Sequence, residues 1–140
     1  MIRIDPIGVW LRFGEKYRAL GEPIIDLGGV AEIELARIEF SKVLHISGGE
    51  PLLSGRSGDA LIDILSDWIF ENASYPCRVH VLGWQNLEKR DLICLVSEIG
   101  SAFNKVVWGY LEYGDDEEIN SQTLKRTIES MKVHFHLQAT

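Results

Sequence analysis

The residues best placed for ligand chemistry follow predicted strands. Gly48, Gly49 and Glu50 come directly after the apolar segment 43–47. Ligands of open parallel sheets bind beyond the carboxyl ends of the strands, which makes these positions the first candidates. The two glycines would let a ligand approach the backbone, and Glu50 could hold an amine or a cation. An ordinary turn, capped by Glu50, explains the same residues and is favoured. Later predicted strand ends carry Trp84, Gln85 and Asn86, then Asp115 and Asp116.

The segment SGGEPLL at residues 47–53 resembles the radical S-adenosylmethionine enzymes, particularly the small activases of anaerobic ribonucleotide reductase. In that family a strand ends in a GGEP motif that contacts the amino group of the cofactor. The resemblance assigns this role to Gly48, Gly49 and Glu50. Family members hold a [4Fe–4S] cluster with three upstream cysteines in a CxxxCxxC pattern. The first cysteine here is Cys77, so the resemblance implies a degenerate domain that binds a small ligand but no cluster.

Other candidate groups favour structural over chemical roles. His134 and His136 alternate on a predicted strand, so both point to one face, as a metal pair would. Because no Cys or acidic residue accompanies them at ligand spacing, a partly exposed terminal strand is favoured. Cys94 lies on the polar face of a predicted helix without an adjacent histidine to activate its thiol. We therefore expect no catalytic residue, no metal and no cofactor.

Two acidic regions could contact a partner. The run Asp115, Asp116, Glu117 and Glu118 could bind Mg²⁺ or a basic protein, but a solvated loop before the next helix is favoured.

On predicted helix 59–72, Phe70 projects away from the apolar stripe, between Ser66 and the Asp63–Asp67 edge. Cover of Phe70 by the chain's own N-terminal strands is favoured. If it is exposed, an aromatic anchor with a charged rim has the anatomy of a binding hot spot.

Composition narrows the class of partner. The 140 residues include 14 Lys or Arg and 21 Asp or Glu, giving a net charge of −7. Nucleic-acid binding and binding to anionic membranes need a cationic surplus that this chain lacks, whereas a basic protein partner suits it. No signal peptide is recognisable, and no apolar stretch approaches the roughly 20 residues that span a bilayer. With two cysteines there is no disulfide framework, and we expect a reduced, cytoplasmic protein.

Periodicity and breaker residues predict the elements. Strands are expected near 43–47, 78–83, 106–113 and 133–137, and helices near 59–72, 87–103 and 121–132, with Asp59 and Asn86 as helix caps. The lead-in 1–41 is expected to be rich in strands, within 2–13, at 24–27 and, with a short helix as the alternative, at 30–40. From 42 to 140 strands and helices alternate. This predicts a single α/β domain with a mixed or mainly parallel sheet flanked by helices.

The sequence thus favours a non-catalytic acidic binding protein, for instance an inhibitor or immunity-type protein that neutralises a basic toxin or nuclease. The alternatives are the degenerate cofactor-binding domain and an enzyme that uses the strand-end carboxylates. The expected contact residues are Phe70, Asp63, Asp67, Asp115, Asp116, Glu117 and Glu118.

Overall fold

The computed structural model describes residues 11–14, 21–44, 57–72, 77–113 and 133–138, with the backbone alone at 11–14 and 108–113. These residues form four strands and three α-helices. The strands are β1 (Leu11–Gly14), β2 (Ile24–Asp26), β3 (Cys77–Leu82) and β4 (Val133–Gln138). The helices are α1 (Ile33–Val43), α2 (Gly58–Asn72) and α3 (Lys89–Tyr113), and a short 3₁₀ turn, Trp84–Asn86, precedes α3.

The sheet has the strand order β1-β4-β3-β2, and each neighbouring pair is parallel. The register aligns Ile25 with Val81, Val81 with Leu137, and Phe13 with Leu137. Since parallel neighbours need a crossover connection, the helices lie between the strands in sequence and against the sheet in space. The predicted α/β fold with a mainly parallel sheet is confirmed.

One face of the sheet carries the core. Val79 and Val81 of β3 and Phe135 and Leu137 of β4 are buried, as their alternation requires. The ring of Phe40 from α1 stacks on Phe135 at 6.3 Å between centroids, and Phe103 from α3 meets the same ring edge-on at 5.8 Å. Both helices therefore cover the same face of the sheet.

The opposite face is polar. Strand alternation places Leu82 and five polar residues of β3 and β4 on it. We call the five polar residues the polar sheet face: Arg78, His80, His134, His136 and Gln138.

The three helices meet at an ion pair. Arg37 of α1 donates to the carboxylate of Glu98 of α3 through Nε at 2.8 Å and through Nη2 at 2.5 Å, with both side chains mostly buried. The first residue of α2, Gly58, packs so close to this carboxylate that a Cβ there would collide with the Glu98 side chain. The junction fixes the start of α2 against α1 and α3.

The predicted strand at 106–113 is wrong, because α3 continues to Tyr113. The run of valine and aromatic residues is typical of a strand, but Val106 and Val107 are buried one turn beyond Ala102 and Phe103. They continue the apolar stripe of the helix, so tertiary packing decides against local β propensity.

The favoured strand at 30–40 is also wrong, and the short helix that was its alternative is present. Ala36 and Phe40 of α1 are both buried, four residues apart on one side of the helix. Because α1 includes Val43, the strand predicted at 43–47 does not begin at Val43. Residues 45–47 and the helix predicted at 121–132 lie outside the described residues.

The predicted helix 59–72 and strands 24–27, 78–83 and 133–137 are confirmed within one or two residues. Helix 87–103 is confirmed in its position, although α3 begins at Lys89. Two predicted caps differ. The Ser57 hydroxyl, not Asp59, accepts the Ala60 N–H at 3.2 Å, and Asn86 lies in the 3₁₀ turn.

Across the described ranges, no helix combines the length and apolar character that crossing a membrane requires.

Candidate functional site

The exposed side of α2 contains three of the predicted contact residues. Phe70 is 57% exposed, so the favoured prediction that the chain covers it is wrong and its alternative, exposure, holds. Asp63 and Asp67 are exposed as well. Ser66 is not part of this surface: it is buried, and its hydroxyl donates to the Asp63 carbonyl at 3.0 Å.

Two further exposed carboxylates, Asp59 and Glu71, are not among the predicted contact residues and extend this surface. At about 100° per residue, these two, Asp63, Asp67 and Phe70 fall within an arc of about 120° on the helix. The signal that could have found them is the recurrence of an acidic residue every four positions, at 59, 63, 67 and 71. We call Asp59, Asp63, Asp67, Phe70 and Glu71 the acidic face of α2.

The charges of this face disfavour the helix that carries them. Like charges four residues apart cost about 0.2–0.5 kcal/mol per pair in a helix. Asp59, in the first turn, interacts favourably with the helix dipole. Glu71 lies in the last turn, where the dipole disfavours an anion and where α2 has no basic residue.

Among the described residues, one cation reaches the acidic face of α2. Lys105 of α3 places its Nζ 2.5 Å from Oδ1 of Asp63, with both side chains largely in solvent. The hydrogen bond to Asp63 raises the pKa of the Lys105 amine, against a smaller lowering by partial burial, and the charges of Asp63 and Asp67 add to the rise. The middle of the face is therefore partly neutralised, while Asp67 and Glu71 flank Phe70 toward the end of α2.

The second cluster lies around His80 on the polar sheet face. His80 is 2% exposed, and its Nε2 lies 3.2 Å from Oε1 of Glu22. Its Nδ1 lies 2.7 Å from the Gln138 amide nitrogen. A carboxylate only accepts and an amide nitrogen only donates, so the contacts fit a ring with its hydrogen on Nε2. Since both ring nitrogens bond to protein groups, His80 is not poised as a general base.

The predicted common face of His134 and His136 is confirmed: both are partly buried between core residues of β4. The His136 ring lies 5.7 Å from that of His80. Burial lowers the pKa of His136, electrostatic interactions with His80 and Arg78 lower it further, and Glu22 opposes this only in part. In the part of the chain that the structure describes, no group of three His, Cys, Asp or Glu side chains could hold a metal.

At the carboxyl edge of the sheet, Trp84 and Asn86, two of the predicted ligand groups, form hydrogen bonds to the backbone at the ends of the strands. The indole N–H of Trp84 donates to the Gln138 carbonyl at 2.8 Å. The Asn86 amide donates to the carbonyls of Gly83 and Leu27 at 2.9 and 3.3 Å.

Gly83 has a φ of 69°, and a Cβ there would lie 2.5 Å from the Gly28 nitrogen. Only glycine fits this close approach of the β2 and β3 exits. The polar groups described at this edge thus hold the strand ends in place.

The two cysteines lie in different environments. Cys94 is exposed on α3, as predicted. Burial, together with the charge of Glu22, raises the pKa of Cys77, which disfavours the reactive thiolate.

The other sequence candidates lie outside the described residues: Gly48, Gly49 and Glu50, and Asp115, Asp116, Glu117 and Glu118. Asp115 and Asp116 follow α3 and not a strand, so they lose the strand-end position on which their ligand role depended.

Comparison with known proteins found no matching family model, no matching curated protein and no matching solved structure. The resemblance of residues 47–53 to the radical S-adenosylmethionine enzymes stays a prediction.

Proposed function

We propose that this protein is a non-catalytic, cytoplasmic binding protein whose acidic face of α2 contacts a basic protein, as an inhibitor or immunity-type protein contacts a toxin or nuclease. The observation that carries the proposal is Phe70, which is 57% exposed amid exposed carboxylates. A large aromatic ring gives an interface apolar area that leaves water on binding, and the charges around it select the partner.

Energetics support a role beyond folding. The carboxylates at positions 59, 63, 67 and 71 repel one another along the helix, and Phe70 contributes little burial where it is. Sequences retain such locally unfavourable groups where function requires them. A partner surface rich in Lys and Arg would neutralise the repulsion between these carboxylates and would also bury the Phe70 ring.

The spacing specifies the partner's surface further. Carboxylates four residues apart along a helix repeat about every 6 Å. Cations at a similar spacing, such as Lys or Arg four residues apart on a helix, would meet them in register. With a net charge of −7, association should be steered electrostatically, so its rate should fall as salt rises.

The test is affinity capture from the native host, followed by direct binding with the purified candidate. We expect a basic protein whose dissociation constant rises at least about tenfold with Phe70→Ala, as for a hot-spot residue. Asp67→Asn and Glu71→Gln should slow association mainly at low salt.

Ile93→Ala is the matched control, because Ile93 is 59% exposed but lies on α3, outside the acidic face of α2. Equal weakening by Phe70→Ala and Ile93→Ala would contradict the assignment. So would a captured protein that binds all of these variants as tightly as the parent.

A further inference from the structure

The strand β2 forms one edge of the described sheet, and its hydrogen bonds show which of its backbone groups face β3. The Pro23 carbonyl accepts from the His80 N–H at 2.9 Å, and the Leu27 N–H donates to the Leu82 carbonyl at 2.8 Å. In a parallel pair, each strand bonds to its neighbour through alternate residues. The residues that face β3 are therefore Pro23, Ile25 and Leu27.

The residues between them, Ile24 and Asp26, direct their backbone N–H and C=O groups away from β3. In the part of the chain that the structure describes, no group bonds to these backbone atoms. Both residues are exposed, Ile24 at 49%. Proline often closes a sheet edge, but the donor that Pro23 lacks would point toward β3 and not outward. The outer edge of β2 is thus open to pairing with another strand.

The side chains at this edge specify which segment would fit. Ile24 aligns with His80, so it lies at the margin of the polar sheet face, and Asp26, two residues later, lies on the same side. Oδ1 of Asp26 accepts the Gly28 N–H at 2.8 Å, and no described group contacts its other oxygen. An added strand would therefore place an apolar residue beside Ile24 and, two positions away, a cation beside Asp26.

Leu35 adds apolar area on the other side of the same edge. The helix α1 packs against β2, whereas α3 covers β4. Arg37 of α1 faces α3 through its ion pair with Glu98. At about 100° per residue, Leu35 lies about 200° around the helix from Arg37, so it faces away from α3, toward the space beyond β2. It is 43% exposed and would contact the residue of an added strand that points to the helical side.

Charge favours a basic segment over a second copy of this chain. If β2 paired with itself about a two-fold axis, Asp26 would lie opposite Ile24, Glu22 or Asp26 of the other copy. None of these registers gives its carboxylate a cation. Asp26, Glu32 and Glu34 are all exposed where β2 leads into α1, and two copies with a net charge of −7 each repel one another.

We propose that the outer edge of β2 binds an extended segment of a partner protein as an added strand, with two apolar residues and a basic residue in succession, in either chain direction. Backbone hydrogen bonds to Ile24 and Asp26 provide the affinity, and side-chain contacts with Ile24, Leu35 and Asp26 provide the selectivity. This edge belongs to the sheet and not to α2, so the proposal does not depend on the function proposed for the acidic face of α2.

The test uses the capped peptide Ac-Thr-Val-Val-Lys-Val-Thr-NH2 and hydrogen exchange of the β2 amides, measured by NMR. We expect the Ile24 and Asp26 amides to exchange fast in the free protein and at least about tenfold more slowly when the peptide saturates the edge. The amides of Ile25 and Leu27 are internal controls, because they face β3 and should be protected with or without peptide.

Two altered peptides separate backbone pairing from charge. N-methylation of the Val residues removes backbone donors and should abolish the protection of Ile24 and Asp26. Replacing the Lys of the peptide with Glu should weaken binding, because it brings two carboxylates together at Asp26. Unchanged exchange of the Ile24 and Asp26 amides with the Lys peptide, or equal binding of the Lys and Glu peptides, would overturn the proposal.

Asp26→Asn tests the same charge from the side of the protein. It keeps an oxygen for the Gly28 N–H but should weaken binding of the Lys peptide about two- to fivefold, as for an exposed ion pair. Asp67→Asn, on the acidic face of α2, is the matched control and should leave peptide binding unchanged. If Asp67→Asn weakens binding as much as Asp26→Asn, or if protection of Ile24 and Asp26 rises with protein concentration alone, the assignment of this edge to a basic segment is wrong.

Discussion

The polar sheet face and the acidic face of α2 both carry charged residues, but their polar groups differ in burial and in hydrogen-bond partners. His80 is almost fully buried, and both of its ring nitrogens have protein partners, Glu22 and Gln138. Asp67 and Glu71 extend into solvent on a helix that their charges destabilise. The hydrogen bonds of His80 offset the cost of burying its polar atoms, whereas the exposed charges of Asp67 and Glu71 do not stabilise the fold.

This difference separates candidate contact residues from structural ones. A buried polar residue with satisfied hydrogen bonds is explained by the fold alone, however chemically suggestive its type. An exposed aromatic ring among repelling charges is not explained in this way. The two regions should therefore respond oppositely to substitution, and the following experiments test that contrast in order of decreasing effect.

Truncating one ring on each surface should give the largest contrast. His80→Ala removes a buried ring and leaves Glu22 and Gln138 without this partner, so we expect the free energy of unfolding to fall by about 2–4 kcal/mol. Phe70→Ala should change it by no more than about 0.5 kcal/mol, because the ring is exposed. Urea unfolding of both variants measures the difference. Similar losses of unfolding free energy in His80→Ala and Phe70→Ala would contradict the difference between the two surfaces.

A single-atom change tests the hydrogen bonds themselves. Glu22→Gln keeps the shape but replaces one acceptor oxygen by a donor, and the two Glu22 oxygens serve two different N–H groups. We expect a loss of about 1–3 kcal/mol in the free energy of unfolding. Asp67→Asn, the same kind of change on the acidic face of α2, is the control and should cost nothing. If Glu22→Gln leaves the midpoint of urea unfolding unchanged, the hydrogen bonds around His80 do not stabilise the sheet.

The polar sheet face should also make stability depend on pH. The folded state lowers the pKa of His136 below its unfolded value of about 6.5. Between these two values the unfolded chain binds more protons, so stability is complete above about pH 6.5 and declines as the pH falls toward the folded pKa. Melting temperatures from pH 7.5 to 5.5 should fall less steeply for His136→Gln than for the parent. If the melting temperatures of the parent and of His136→Gln change equally with pH, His136 does not contribute to the pH dependence of stability.

The smallest expected effect has the opposite sign. Glu71→Lys replaces an anion in the last turn of α2 with a cation and removes one repulsion with Asp67. We expect the free energy of unfolding to rise by a few tenths of a kcal/mol, up to about 1 kcal/mol. Chemical denaturation with the parent in parallel can resolve this gain. A loss of stability would mean that Glu71 makes contacts which favour the fold.

The fold class was predictable because the strands near 78–83 and 133–137 and the helix near 59–72 carry clear periodic signals. The errors fell where local propensity and packing disagree. Residues 106–113 look like a strand until Val106 and Val107 are placed on the continuing stripe of α3. At the start of α1, Ile33 and Leu35 alternate with Glu residues as in a strand, although the buried Ala36 and Phe40 are four residues apart.

The candidate surface was predictable in part. A helical projection places Phe70, Asp63 and Asp67 outside the apolar stripe, and four-residue spacing would have added Asp59 and Glu71. The pairing of His80 with Glu22 was not predictable, because the two residues are 58 positions apart and meet only through the parallel pairing of β2 and β3. The hydrogen bonds by which Trp84 and Asn86 join the strand ends depend in the same way on the strand order.

The order of the strands has a consequence for how the chain acquires its structure. Among the described strands, the first in sequence, β1, pairs with the last, β4, so Leu11 can join the sheet only after Phe135 has been made. During synthesis β2, α1, α2, β3 and α3 can assemble first, while β1 remains without this neighbour until β4 emerges. Closing so long a loop slows folding and prolongs the exposure of an unpaired strand to aggregation. The synthesis of β4 therefore determines when β1 becomes protected.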